Sequence, residues 1–351
     1  MSPTVHRYAV ASFLFRQALP GAVGDVPWGP AFLREVFVDH EYSVRNFWRR
    51  ATLGLVDLEF DFLDVAAWTF DEYGQAGAQG RGGRNRTVEA ARAFCKDNDI
   101  ALDGYDHLVV VVPPGPTDAG ATSGDVAFDQ ATATLPFLQH EIGHTLRFQH
   151  AFGGRSDCGD PYCVMGYTGM QSHAIAAPPR FAARPRNGTA FWRSERRPSA
   201  ASLWRHLAAV KLSRERVSYV EGAPPASVRI AGLCATGTGD PRSPATDGDP
   251  RTIIAVVPRR GHPNQHLTVE YRPAVGDDAG VTPAVVVHSI GANFVGVGRD
   301  EVDPPWFEAS LPPVVGAFAD VLGYRITVVA VSTAAPEWVE VRIQLSSPSE
   351  A

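Results

Sequence analysis

The chain has 351 residues, 44% hydrophobic and 20% charged, which excludes a disordered chain and allows two domains with separate cores. A formal net charge of -6 excludes the basic surface of a general nucleic-acid binder. No stretch approaches the roughly 20 apolar residues of a membrane span.

Taken in order, Met1 to Pro20 shows no signal peptide with a clear cleavage site, so the chain as given reads as cytoplasmic. Secretion would require an export sequence outside it. Tyr8–Phe15 reads as a strand. Glu35–Arg50 reads as a helix, with Val44, Phe47 and Trp48 on one face. From Val56 to Leu63 apolar and acidic residues alternate, the period of a half-buried strand. Gly74–Gly83 reads as a loop. Thr87 is the expected N-cap of a helix over Val88–Asp97, whose apolar stripe is Ala90, Ala91 and Phe94. His107–Val112 is a continuous apolar run, expected to be a strand buried on both faces and ended by Pro113, Pro114 and Pro116. Asp125–Gln130 has the partly polar character of an edge strand. Thr134-Leu135-Pro136 then opens a helix, with Pro tolerated in the first turn.

Residues 140–150 read His-Glu-Ile-Gly-His-Thr-Leu-Arg-Phe-Gln-His. His140 and His144 stand one helical turn apart on one face, where two imidazoles can hold one metal ion. Glu141 projects beside them, where it can take a proton from an activated water. A helix continued to His150 would carry that ring roughly 15 Å along the axis. If His150 is the third ligand, the chain must leave the helix near Leu146–Phe148. Three His ligands and an open fourth position make a catalytic rather than a structural zinc site. Downstream, Met165, one of three methionines in the chain, stands beside Gly166 in an expected turn.

The two stretches HEIGHTLRFQH and GDPYCVMGY together resemble metzincin zinc peptidases of the gametolysin and immune-inhibitor-A type. The resemblance extends upstream over Ser43–Trp48 and Tyr105–Val112, and weakly downstream over His266–Arg272. It implies His140, His144 and His150 as zinc ligands, Glu141 as general base and Met165 as the Met-turn residue. Tyr167 matches a position where some metzincins place a Tyr near the metal, although a packing Tyr fits the same position. The resemblance departs at Arg147, where the family has Gly at a sharp turn. A non-Gly residue with positive φ costs roughly 1 kcal/mol or more.

Beyond the motif, Asp157–Met170 reads as irregular and Ala174–Pro198 as a Pro/Arg-rich loop, its basic cluster Arg180–Arg197 solvated. Ala200–Leu212 reads as a helix and Gly222–Pro225 as a linker. Six strands follow, over Ser227–Ile230, Thr252–Val257, His266–Tyr271, Ala284–His288, Arg325–Val331 and Val339–Leu345. The expected architecture is α/β: a metzincin-like catalytic domain over 1–222, with a mixed sheet and an active-site helix. A β-sandwich-like C-terminal domain over 226–351 follows, with no partner assigned to it.

Four cysteines permit disulfides, and Cys158 and Cys163 are spaced to staple their loop. Cys95 and Cys234 read as buried small hydrophobes. Asp247-Gly-Asp249 and Asp277-Asp278 read as turns rather than calcium loops. The function expected is a zinc endopeptidase acting on protein or peptide substrates, an extended substrate pairing with the edge strand near Gly124–Gln130. Two alternatives stay open: a catalytically weak or inactive metzincin-fold binding protein, and a zinc hydrolase of a non-peptide amide.

Overall fold

A computed structural model describes residues 3–12, 14–15, 29–63, 67–68, 81–112, 120–122, 124–129, 133–154, 157–166, 168, 171–181, 191–207, 216–220, 225–232, 252–262, 264–291, 304–334 and 337–346. The protein is mixed α/β and divides into two compact units. One comprises Met1–Arg147 with Ala174–Ser194, the other Phe148–His173 with Glu195–Ala351.

The first unit is built on a five-stranded sheet. Its elements are β1 (Thr4–Ser12), α1 (Pro30–Arg34), α2 (Val44–Ala51), β2 (Val56–Leu63), α3 (Arg81–Asp97), β3 (His107–Val112), β4 (Gly120–Thr122), β5 (Asp125–Asp129) and α4 (Leu135–Thr145). The strand order is β2-β1-β3-β5-β4, parallel except for β4. Along β2, Val56, Leu58 and Phe60 are buried while Glu59 and Asp61 are exposed, as the alternation requires. Residues 108–112 of β3 are all buried, which fits a central parallel strand.

Four expectations change here. The helix expected over Glu35–Arg50 is two pieces: a π-helical turn, Glu35–Asp39, which continues α1, and α2, which restarts at Val44. Ser43 makes the break, since its hydroxyl accepts from the Asn46 N–H and caps α2. Helix α3 begins at Arg81, so Thr87 lies inside it and its hydroxyl donates to the Gly83 carbonyl. The last three residues of the expected loop, Arg81-Gly82-Gly83, are thus helical, and the rest of that loop lies outside the described residues. Finally, β5 is an inner strand. The short β4 pairs with it and takes the edge, out of a segment whose sequence carries no strand periodicity.

In the second unit the elements are β6 (Phe152–Gly153), α5 (Ala200–Leu207), β7 (Val217–Tyr219), β8 (Ala226–Ala231), β9 (Ile254–Pro258), β10 (His266–Arg272), β11 (Ala284–Ile290), β12 (Trp306–Leu311), β13 (Phe318–Val321), β14 (Tyr324–Ser332) and β15 (Trp338–Leu345). They form a six-stranded sheet ordered β7-β9-β10-β11-β12-β6 and a four-stranded sheet ordered β8-β15-β14-β13. Apolar residues of both sheets, among them Leu267, Val269, Val287, Ile326, Val341 and Ile343, make one core. Period-two alternation fixes which residues enter it. On β10, Leu267, Val269 and Tyr271 face this core, so Glu270 and Arg272 face the other way. That opposite face is also buried.

Residues 222–224 of the expected linker lie outside the described residues, as do Cys234 and Asp247–Asp249. No described helix is long and apolar enough to cross a membrane.

Candidate metal centre

Helix α4 carries the first two histidines, and its sequence explains how it is held. Thr134 caps it by accepting from the Phe137 N–H at 3.3 Å, and Pro136 sits in the first turn. The Trp48 indole N–H donates to the Gln139 carbonyl at 2.9 Å, and the Gln139 amide donates to the Tyr42 carbonyl. At the far end the Tyr8 and Thr145 hydroxyls are hydrogen-bonded at 2.7 Å. Every residue from Leu138 to Gly143 is buried, so the helix is packed on all sides and these hydrogen bonds set its rotation about its axis.

Helix α4 ends at Thr145, and Arg147 adopts φ of 69°. The chain therefore leaves the helix within the segment where a third ligand requires it, through a left-handed residue that is not Gly. The ligand atoms of His140, His144 and His150 lie within 4.8 Å of one another. The Nε2 atoms of His140 and His144 face each other at 3.2 Å, with the rings nearly perpendicular. Two ligands of a tetrahedral zinc at about 2.0–2.1 Å stand about 3.3–3.4 Å apart, so the pair fits such an ion. The same separation also suits a single N–H···N hydrogen bond. His150 joins within the looser limit, and its Nδ1 lies 2.9 Å from the Asp157 carboxylate. A carboxylate on that nitrogen orients the ring and leaves Nε2 as the nitrogen able to bind a metal.

Glu141, the residue after His140, is buried and accepts from the Ala121 N–H of edge strand β4 at 2.7 Å. The neighbouring Ala121 carbonyl accepts from the Arg84 guanidinium at 3.2 Å. Gly120 has φ of 141°, a conformation that favours Gly, and a Cβ there would displace that guanidinium and press on the Glu141 carboxylate. The edge strand is thereby locked against the acid–base candidate. Sequence reasoning missed both Arg84 and β4, because their link to Glu141 is purely spatial.

Met165 is fully buried in a turn closed by the Gly166 N–H to the Cys163 carbonyl. The Met165 carbonyl accepts from the N–H of Ala151, the residue after His150, at 3.0 Å. Tyr167 lies outside the described residues. Cys158 and Cys163 do not staple the loop; both are free thiols, as is Cys95. The Cys163 thiol instead accepts from the Ser199 N–H and meets the Ser202 hydroxyl, a buried position that pushes its pKa up. Cys95 is buried, as expected of a small hydrophobe.

The basic stretch ending at Arg197 is not all solvated. Arg180 is exposed, whereas Arg196 and Arg197 are buried. Arg197 pairs with Asp277 at 3.1 Å, and Arg272 pairs with Asp278 at 2.7 Å. Asp277 and Asp278 do form a turn, a short 3-10 one, but a buried one whose carboxylates neutralise these arginines. A second pairing absent from the sequence reading is His6 with His107, whose rings stack at 5.6 Å across neighbouring strands. Burial holds both below the ordinary imidazole range, aided by the Arg147 charge.

A scan against protein-family models finds no family that matches the chain, and a search of curated proteins finds no matching relative.

Proposed function

We propose that the protein is a zinc-dependent endopeptidase with a metzincin-like catalytic domain and a β-sandwich-like C-terminal domain. The observation that carries this reading is the convergence of His140, His144 and His150, on a helix whose Glu141, next to His140 in the chain, is buried. A structural zinc site would be closed by a fourth protein ligand and would have no use for that carboxylate.

Zinc held by the three histidines supplies Lewis-acid activation of a water and of the scissile carbonyl. Glu141 takes the proton of the attacking water and passes it to the leaving amine. The hydrogen bond from Ala121 aims its carboxylate in the free protein. An extended substrate pairs with the edge strand β4 only by displacing the bonds that the Ala121 N–H and carbonyl make to Glu141 and Arg84, since these are the outward main-chain groups of that strand. Tyr167 is assigned the stabilisation of the developing oxyanion. Met165 closes the turn that supports the segment after His150.

The test is zinc stoichiometry on purified wild type, Glu141→Gln and His150→Ala, with hydrolysis of a quenched peptide library in parallel. One zinc per chain is expected in wild type and Glu141→Gln, with turnover only in wild type. His150→Ala should bind zinc more weakly and lose turnover. Peptide cleavage retained in Glu141→Gln would sink the mechanism. Tight zinc in a wild type that cleaves no peptide would favour the binding protein or the non-peptide hydrolase.

A further inference from the structure

The face of the six-stranded sheet turned away from the apolar core carries a buried charge network. Glu270 and Arg272 reach it from β10 and His288 from β11. His288 stands opposite Thr268 and diagonal to Glu270 in the antiparallel register, within reach on the same face. Glu195, Arg196, Arg197, Asp277 and Asp278 complete the network from two further segments, and all are buried. Burying so many charges is costly unless each is paired, and such networks more often specify one arrangement than add stability.

What lies on this face is the loop between His150 and the Met165 turn. Asp160 places a carboxylate oxygen 2.9 Å from His288 Nε2, both groups fully buried. Its other oxygen accepts from the Tyr162 N–H at 2.8 Å, and its carbonyl accepts from Arg196. The Asp160 N–H donates to the carbonyl of Ala151, the residue after His150, and the Ala151 N–H donates to the Met165 carbonyl. A Cβ at Gly166 would overlap the Asp160 carbonyl, and one at Gly153 would overlap the Gly159 carbonyl, so this close approach of backbone requires Gly at both positions. Beyond Ala151, β6 pairs in parallel with β12, and Phe152 stacks on Trp306 at 5.3 Å.

From this geometry we propose that Asp160 and His288 are positioning residues for the third metal ligand. The His288–Asp160 pair clamps the loop to the C-terminal sheet, and one backbone hydrogen bond carries that constraint to the residue next to His150. On this account the strands after residue 226 are part of the scaffold of the metal centre rather than a detachable accessory. The inference rests on the proposed zinc reading.

The double variant Asp160→Asn/His288→Gln removes both charges and leaves a pair able to form a neutral hydrogen bond. It is expected to keep its fold by circular dichroism and to bind zinc roughly 10–100-fold more weakly, the usual effect of outer groups that orient a ligand. The absorption spectrum of its cobalt(II) form should also differ from wild type. Unchanged zinc affinity and cobalt spectrum in a folded double variant would overturn the proposal. If the double variant does not fold, hydrogen exchange on wild type decides. Zinc should then slow exchange over residues 304–311 as well as 135–166, and His140→Ala should abolish both effects. Protection confined to 135–166 would overturn it. Wild type that binds no zinc at all would defeat the zinc reading itself, and this proposal with it.

Discussion

At the scale of single residues, Arg147 carries the clearest local strain near the candidate ligands. Its φ of 69° is a conformation that costs an L-residue roughly 1–2 kcal/mol relative to Gly. Replacement by Gly returns part of that gain as added freedom in the unfolded chain, roughly 0.5–1 kcal/mol. Arg147→Gly should therefore stabilise the protein by roughly 0.5–1 kcal/mol in urea denaturation, with zinc stoichiometry unchanged. A destabilised variant would show that contacts of the guanidinium outweigh the strain. The charge of Arg147 does act on its surroundings, since it helps hold His6 and His107 below the ordinary imidazole range. Those two rings stack across β1 and β3, so the residue that turns the chain towards His150 also bears on two inner strands of the first sheet.

At the scale of elements, α4 is the part whose placement matters most, because it carries two candidate ligands and the candidate base together. Its hold is divided between a cap, a buried indole donor and a buried hydroxyl pair. Thr134→Ala removes the cap and should cost about 1 kcal/mol, read as a lower urea midpoint at unchanged slope. Because the Trp48 and Tyr8 bonds remain, zinc affinity should change far less than stability. A loss of zinc affinity as large as that of His150→Ala would mean that the first turn of the helix, and not its buried contacts, sets the ligand positions. The sequence made this helix readable: Thr, Pro and the His-Glu-x-x-His spacing are local signals. It did not reveal β4, since three residues of Gly, Ala and Thr have no periodicity, and only pairing with β5 makes them a strand.

At the scale of the whole molecule, the second unit should carry a marked pH dependence. Burial alone would lower the His288 pKa, but Asp160 and Glu270 outweigh it against the opposing Arg272 charge, and the net direction is up. The groups facing this ring are therefore Asp160 on the loop and Glu270 and Arg272 on β10, with Phe307 from β12 against its edge. A folded pKa above the unfolded value of about 6.5 means that protonation favours the native state. The contribution is complete below about pH 6.5 and is lost as pH rises through the folded value. Unfolding free energy should thus fall as pH rises above about 6.5 in wild type, and His288→Gln should flatten that slope. Equal slopes in the two proteins, measured by urea denaturation across that range, would mean that His288 is not protonated in the fold.

What the sequence determined by itself was whatever depends on near neighbours. The period of Val56–Leu63, the apolar run His107–Val112, the cap at Thr134 and the ligand spacing of His140, Glu141 and His144 all act within one or two turns or strand repeats. The need for the chain to leave the helix before His150 was equally legible, being a matter of helix rise. Only the tertiary structure decided what depends on distant chain. In His266–Arg272 the alternation assigns Glu270 and Arg272 to one face, which taken alone reads as solvent. That face is instead covered by Arg196, Arg197 and the loop around Asp160, so the same residues become a buried network that grips the segment after His150. Alternation tells which face a side chain takes; it cannot tell what will cover that face, because the covering segments lie tens of residues away and are chosen by packing.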